Sequence, residues 1–440
     1  MMKSKKIAKF AQALLIMLAI ICVVFASSVT ASATTVEEVE TVAEDASVEA
    51  TVEAEADETE EIVEIQDATV GETTEEVSEL ETVEVEEVLE TTEAASGTWE
   101  TINWSYANGV LTLEHVDSHF MGDMFSPDSA PSGFTSLSVC EMVAADYPWG
   151  EYRDSITKIV IGDDITTIAY AAFYNMPKLE EVVLGPDIYM IKYYAFRNCT
   201  SLKKVTLPAK LTNFYRGVFY NCSSLEEVTG NVQVSSYAYY GCSSLKSIEL
   251  PETTDEIYTY TFANCTSLKE ITIPEDVDNI ASYAFENCKS LTTIPSFVKK
   301  LEMFAFEGCE GLQEITIHDE FIPFGCFKDC INLKKINHRN EIIAIEDFAF
   351  LGCSNLEEIE LSLIEKIPTG AFNGCKKLSK VKINGNIKEI GKRAFYKCES
   401  LKDFVIPDSV TKIGKEAFKY CNSIKQINIS KNLTSLDVGA

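Results

Sequence analysis

The sequence predicts a β-rich repeat solenoid of about 12 coils behind an N-terminal β cap, and three observations carry that reading. A corner pattern, Ala-Phe-x-x-Cys, recurs at a near-constant interval through the C-terminal part of the chain. Between corners, apolar and polar residues alternate at the two-residue period of a strand. No single coil carries enough apolar surface to enclose a core, so neighbours must stack, about 4.8 Å apart in strand geometry.

The corner aromatic stands at Phe173, Phe196, Phe219, Tyr239, Phe262, Phe285, Phe306, Phe327, Phe350, Phe372, Phe395 and Phe418. Three residues later come Met176, Cys199, Cys222, Cys242, Cys265, Cys288, Cys309, Cys330, Cys353, Cys375, Cys398 and Cys421. Met176 to Cys421 is 245 residues in eleven steps, a mean period of about 22. Fixed periods in this range mark solenoids.

Charge divides the chain before any coil begins. Residues 1–33 hold four lysines and no acid, with the apolar run Ala11–Phe25 followed by Ala31-Ser32-Ala33. That order is a secretory leader, read as a signal peptide over 1–33, and it predicts export; an uncleaved anchor is the other reading. Residues 34–97 hold 24 Asp/Glu and no Lys or Arg. Such a tract repels itself and has too little apolar surface to offset its ordering entropy, so it is expected to be a disordered stalk. A spacer is the simplest use for it, and an anionic, calcium-collecting brush the alternative. The remainder, 98–440, carries 45 acids and 33 bases. A nucleic-acid binder is excluded for the chain as a whole by charge. A multi-span membrane protein is excluded because one apolar run alone approaches membrane length, so no stable membrane span is expected once the leader is cleaved.

Residues 98–154 read as the cap. Asn108-Gly109 before Val110-Leu111-Thr112-Leu113 is a hairpin signal, and Trp104 and Pro148-Trp149 supply large apolar groups to cover the first coil. From 155 to 440 the coils follow. Position +3 from the corner cysteine is Leu from Leu179 to Leu401 and Ile424 in the last unit. Positions +6 and +8 are apolar, as in Val205/Leu207 and Ile315/Ile317, which makes a strand with one inward face. A turn, often with proline (Pro208, Pro251, Pro274, Pro407), precedes a second apolar pair such as Val277 and Ile280. The unit from Cys222 to Cys242 is only 20 residues and lacks the proline, so a bend or irregular coil is expected there.

The run Asp408-Ser409-Val410-Thr411-Lys412-Ile413-Gly414-Lys415-Glu416-Ala417-Phe418, followed by Cys421, resembles the BspA-like class of bacterial leucine-rich repeats, and the resemblance extends over about 156–440. It implies a leucine-rich-repeat array on a secreted or cell-surface protein and surface interaction in general, without naming a ligand.

Fourteen cysteines in an exported chain would ordinarily suggest disulfides. Eleven of them share one site per coil, however, and parallel neighbours at strand spacing do not offer the converging geometry of a bridge. Met176 at the same site fits an apolar role. Buried free thiols are expected, with Cys326 in the small slot before Phe327 and Cys140 left open to pairing. No CxxC pair begins a zinc site. His115-x-x-x-His119 has metal-like spacing for a helix but follows a predicted strand, and a solvated loop is the simpler reading. His318 and His338 fall near turns. No nucleophile elbow or phosphate loop is present. No catalytic residue, cofactor or metal is assigned.

Function is therefore sought on surfaces. Positions +5 and +7 of the main strand face outward: Lys204, Glu227, Glu270, Glu314, Lys335, Lys380 and Lys382 are the charged members singled out. They are either a solvated polar face or the extended binding sheet that solenoids commonly use. A second stripe, two residues before the corner aromatic, reads Tyr194, Tyr237, Tyr260, Tyr283, Phe304 and Phe348, and is either inter-coil packing or a patch for protein or glycan. Of 18 tyrosines, 15 lie between Tyr147 and Tyr283. Residues 361–440 hold 15 Lys/Arg against 7 Asp/Glu, a surplus that would suit an anionic wall polymer or serve solubility alone. The expected function is non-catalytic binding or adhesion to an extracellular protein or glycan; the alternatives are a structural envelope scaffold and the recognition module of a larger enzyme.

Overall fold

The computed structural model describes residues 94–115, 144–294, 298–338, 341–361, 363–402 and 404–440. The expected leader, the acidic tract before residue 94, Cys140 and His119 lie outside the described residues.

A three-stranded meander comes first among the described residues: β1 (Ala95–Trp99), β2 (Ile102–Ala107) and β3 (Val110–His115). Asn108 (φ 50°) and Gly109 (φ 80°) form the two-residue turn that their sequence predicts, leaving Ala107 paired with Val110. β1 begins at Ala95, so the first strand of the cap starts inside 34–97, the stretch read as stalk. His115 is the last residue of β3 and half-buried, so it does not lie in the solvated loop expected for it; the strand runs further than the Val110–Leu113 alternation showed. β3 pairs in parallel with the first strand of the coils, β4 (Lys158–Ile161), Leu111 opposite Ile159 and Leu113 opposite Ile161. The antiparallel cap thus passes directly into a parallel stack. Trp149 closes the seam, its indole 6.0 Å from the Phe173 ring and its Nε1 donating to the Ala172 carbonyl at 2.9 Å.

Beyond the cap the chain is a β-solenoid whose coils are joined by two interrupted parallel strand ladders and one continuous ladder along the corner. The first is the long strand bearing the +6 and +8 residues. Four of these strands continue the cap's sheet in register, ending with Lys204 opposite Glu227 and Val205 opposite Val228. Later ones pair as 247–249 with 270–272, 314–317 with 335–338 and 358–361 with 380–383. The second ladder is the two-residue strand before the corner, as at 366–367, 389–390, 412–413 and 435–436. The third lies in the corner itself. The Phe173 amide donates to Ala195, Phe196 to Val218 and Phe219 to Ala238, and the series runs on to Phe395 and Ala417, at 2.8–3.0 Å in these four.

The corner turns because two residues in each coil adopt the left-handed conformation, five and one before the cysteine: Tyr260 (φ 57°) and Asn264 (φ 62°) in one coil, Phe348 (φ 60°) and Gly352 (φ 77°) in another. Asn and Gly tolerate this region best, and the second position is Asn, Asp or Gly until Lys397 and Tyr420.

Inside, the corner aromatics form one continuous stack from Phe173 to Phe418, successive ring centroids 5.1–5.9 Å apart. The leucines at +3 are buried, and so are all twelve described cysteines, none of them in a disulfide. At roughly 25 cal/mol per Å² of apolar area removed from water, this interior is the dominant stabilising term.

The short unit is the irregularity its length predicted. The cap's sheet ends at Gly230 (φ 84°), packed against the Leu207 carbonyl so closely that no side chain would fit. Among the described residues no short strand forms between 213–214 and 256–257. Side chains replace the missing ladder: Asn231 Nδ2 donates to the Leu211 carbonyl at 2.7 Å and Ser235 Oγ to Tyr215 at 2.8 Å. The one tyrosine of the aromatic stack, Tyr239, falls in this unit, where its hydroxyl donates to the Gln233 carbonyl at 2.9 Å.

Candidate binding surfaces

Strand alternation puts the +5 and +7 side chains on the outer face of the long-strand ladder. Lys204, Glu227, Glu270, Glu314, Lys335, Lys380 and Lys382 are all exposed there. Parallel register then places equivalent positions side by side, and opposite charges meet. Lys204 pairs with Glu227 at 2.5 Å, Lys335 with Glu314 at 3.6 Å, and Lys382 with Glu360 at 3.4 Å. Asn337 Nδ2 donates to Glu314 at 2.7 Å, and the Thr206 and Thr229 hydroxyls bond at 3.0 Å. Five of the seven residues singled out from the sequence therefore hold one another or a neighbouring coil. Solvent screens exposed pairs of this kind, so they add little to stability. Their larger effect here is to neutralise the sheet face.

The corner rib has a different chemistry. Its left-handed residue carries an aromatic side chain in six coils, and the structure divides those six. Tyr194 is buried, 5% exposed, its ring lying over Gly217. That ring packs coil against coil and does not belong to an accessible patch. Tyr237, Tyr260, Tyr283, Phe304 and Phe348 are half-buried. The first four stack in series, with centroids 4.7, 4.6 and 4.8 Å apart and planes within 23°. Phe304 and Phe348 then fold over Gly325 and Gly370, positions where a β-carbon would run into their rings. Phe324 bridges the two, edge-on to each at 5.2 and 5.5 Å.

Arginines cover the beginning of this row. Arg197 lies 4.2 Å over the Tyr220 ring and Arg216 4.2 Å over Tyr237. Acids flank its middle, where Lys328 holds Glu307 at 2.7 Å. Burial, then the neighbouring rings Tyr283 and Tyr237, push the Tyr260 hydroxyl up to about 12. Burial, then Glu307, raises the Glu286 carboxyl above its usual range. The phenols thus stay protonated and available as donors. Beyond them Met303, Phe304, Phe324, Ile345 and Pro368 line an apolar groove. Its rim acids are engaged with backbone: Glu346 accepts from the Phe324 amide and Asp347 from the Thr369 amide, both at 2.8 Å.

Two features of the interior were not foreseen. Every ladder thiol donates to the carbonyl of the corner aromatic in the preceding coil, from Cys199 to Phe173 through Cys421 to Phe395, at 3.0–3.2 Å. The left-handed corner positions were also unassigned, although Asn or Gly before the cysteine was a visible sign of one of them. Among the described residues, no group of three or more His, Cys, Asp or Glu is placed to hold a metal ion, and no helix is long and apolar enough to cross a membrane.

Comparison with known proteins agrees with the repeat. The family model described as a BspA type leucine rich repeat region (6 copies) matches residues 151–236, 232–325 and 320–440. A leucine-rich repeat protein from Bacteroides ovatus is 26% identical over 64% of this chain and 74% of its own, with a TM-score of 0.47. A leucine rich cell surface protein from Faecalibacterium prausnitzii is 22% identical over 76% and 94%, with a TM-score of 0.42. A leucine-rich repeat protein from Eubacterium ventriosum is 20% identical over 78% and 98%, with a TM-score of 0.40. No curated protein matches.

Proposed function

The chain belongs to the BspA-type leucine-rich repeat family, and from that premise we propose that it is a non-catalytic binding scaffold of the cell exterior whose corner rib takes a protein partner. The single observation that carries this reading is the half-buried row Tyr237–Tyr260–Tyr283–Phe304 beside the groove at Met303 and Phe324. Rings and an adjacent apolar groove, fixed by the backbone, bury area at little entropic cost, the property of hot spots in protein interfaces.

The stacking also favours protein over glycan. Sugar recognition by aromatic residues uses open ring faces, and here each face is occupied by the next ring, or by Arg216 at the start of the row. Edges, hydroxyls and the groove are what remain for a partner. The sheet face, with its charges paired along the ladder, serves solubility and spacing in this reading.

The test is binding of the full chain to a panel of extracellular-matrix proteins and glycans. It is repeated with Tyr237→Phe/Tyr260→Phe/Tyr283→Phe, which keeps the stack and removes its hydroxyl edge. Saturable binding of a protein, weakened about tenfold or more by the triple variant (about 1.4 kcal/mol), is the expected result. Binding of glycans alone, or protein binding indifferent to the variant, contradicts the assignment.

A further inference from the structure

Past Phe348 the corner rib changes from aromatic to basic, and we propose that this C-terminal end binds a flexible phosphodiester polymer by charge alone. Lys392 and Lys415 stand in one column a coil apart, because Gly370 N donates to the Lys392 carbonyl and Arg393 N to the Lys415 carbonyl, both at 2.9 Å. Lys397 takes the left-handed position before Cys398, beside Gly374 of the preceding coil, and Lys376 follows Cys375. Between Lys376 and Lys397 the rib has no side chain: Gly374 adjoins Gly352, and a β-carbon there would meet nothing closer than 3.6 Å. All four lysines are exposed.

These four form no ion pair among the described residues; of the acids nearby, Glu416 and Glu389 are engaged elsewhere, and Glu399, one coil on from Lys376, is exposed. Glu416 takes Arg393 at 2.7 Å and Lys419 at 2.6 Å, and those partners, Lys419 first, hold its carboxyl down at about 2. Glu389 sits between Lys366 and Lys412 at 3.5 and 3.2 Å. The N-terminal coils behave differently: Lys158, Lys203, Lys204 and Lys246 each hold a glutamate at 2.5–2.8 Å. The rib's own N-terminal cations, Arg197 and Arg216, are half-buried and lie over the Tyr220 and Tyr237 rings, so cations that are both unpaired and exposed gather at the C-terminal end of the rib. The acidic balance of residues 98–360 reaches it only weakly, since charges further apart than about 8–10 Å are screened at physiological salt.

The side chains define the ligand. Ammonium groups are point donors, and Arg393, the one arginine in residues 361–440, is consumed by Glu416, so no free fork remains for a planar carboxylate. Separate exposed amines hold a single phosphate weakly; a chain carrying one charge per short unit gains by engaging several at once. Nucleobases find little open ring face here, because the tyrosines, including Tyr420 at 50% exposed, have cations over them. Arg393 and Lys397 stand over the Tyr396 ring at 5.3 and 5.6 Å, and Lys419 over Tyr420 at 5.5 Å. A polyol-phosphate polymer meets this description; single-stranded DNA, which carries the same phosphates, is the comparison polymer, and its bases should add nothing.

The experiment titrates the full chain with poly(glycerol phosphate) and with single-stranded DNA of equal phosphate number, from low to physiological salt. Four neutralised phosphates predict a log–log salt slope of about −3, and affinities for the two polymers within about threefold. Lys376→Gln/Lys392→Gln/Lys397→Gln/Lys415→Gln should lower low-salt affinity about 30-fold or more and flatten the slope. The same change at Lys158, Lys203, Lys204 and Lys246 should leave affinity within about threefold, since those charges are already paired. Inorganic phosphate at matched ionic strength should not compete. The proposal is overturned by a preference for DNA beyond about tenfold, by salt-independent binding, by competition from free phosphate, or by equal losses from the two quadruple variants. The tyrosines are untouched in every arm, so the outcome does not depend on the protein-binding surface.

Discussion

At the residue scale, the corner position asks for a side chain that is small, apolar and still able to donate one hydrogen bond. The carbonyl of each corner aromatic accepts the amide of its own coil's cysteine, as Phe327 accepts from Cys330 at 3.2 Å, and then the thiol of the next coil, as from Cys353 at 3.1 Å. Cysteine meets all three demands, and Met176 stands where the cap rather than a coil lies beneath. Sequence showed the apolar part of this role and not the donor, because the acceptor is a backbone atom 26 residues earlier. Replacing Cys353 separates the two. Cys353→Ala should be more destabilising than Cys353→Ser by about 1 kcal/mol, since serine keeps the donor. Denaturant midpoints of the two variants decide it, and an alanine variant as stable as the serine one would reduce the sulfur to a filler.

At the element scale, the long strand was legible because Leu-x-x-Ile-x-Ile states which face is inward, and the cap hairpin because Asn-Gly admits few other turns. The corner ladder was not legible. It is made of backbone, and its first left-handed position carries Ala, Tyr, Gly, Phe, Arg or Glu with equal geometry. The candidate stripe of aromatics was visible as a pattern, but which rings are covered depends on the glycine of the following coil, as Gly217 does for Tyr194 and Gly370 for Phe348. The sheet-face residues were placed correctly on an outer surface, while their mutual pairing needed the register between coils. The short unit offers a test at this scale. Amides at 233–236, outside the strand ladders, should exchange faster than those of 204–207, while Phe219 and Tyr239 stay protected through their bonds to Ala238 and Thr261. Hydrogen exchange read by mass spectrometry checks this, and uniform protection across the unit would contradict a break confined to the strand ladders.

Across the whole molecule, stacking makes one interior out of many small ones, and that interior holds protonated thiols. Burial, first among the causes, raises the thiols of Cys222, Cys242, Cys288, Cys330, Cys353 and Cys398 well above their ordinary value near 9. The folded state keeps these protons where the unfolded chain would release them. Stability is therefore fully present below the unfolded thiol value and is lost as pH rises above it toward the raised folded values, by up to about 1.4 kcal/mol per thiol and pH unit. Thermal midpoints should hold to about pH 8 and fall steeply between about pH 9 and 10.5. A flat profile through that window would mean that the thiols are not enclosed.

A sealed interior with recognition confined to the outer rib is the claim on which the binding assignments rest, and alkylation of the native chain followed by mass mapping tests it most directly. Cys421, 9% exposed and pushed up by burial only to about 11, should be modified first. The ladder thiols from Cys199 to Cys398 should react only after denaturant is added. Rapid labelling of those thiols without denaturant, or their recovery as disulfide-linked pairs, would contradict the sealed interior.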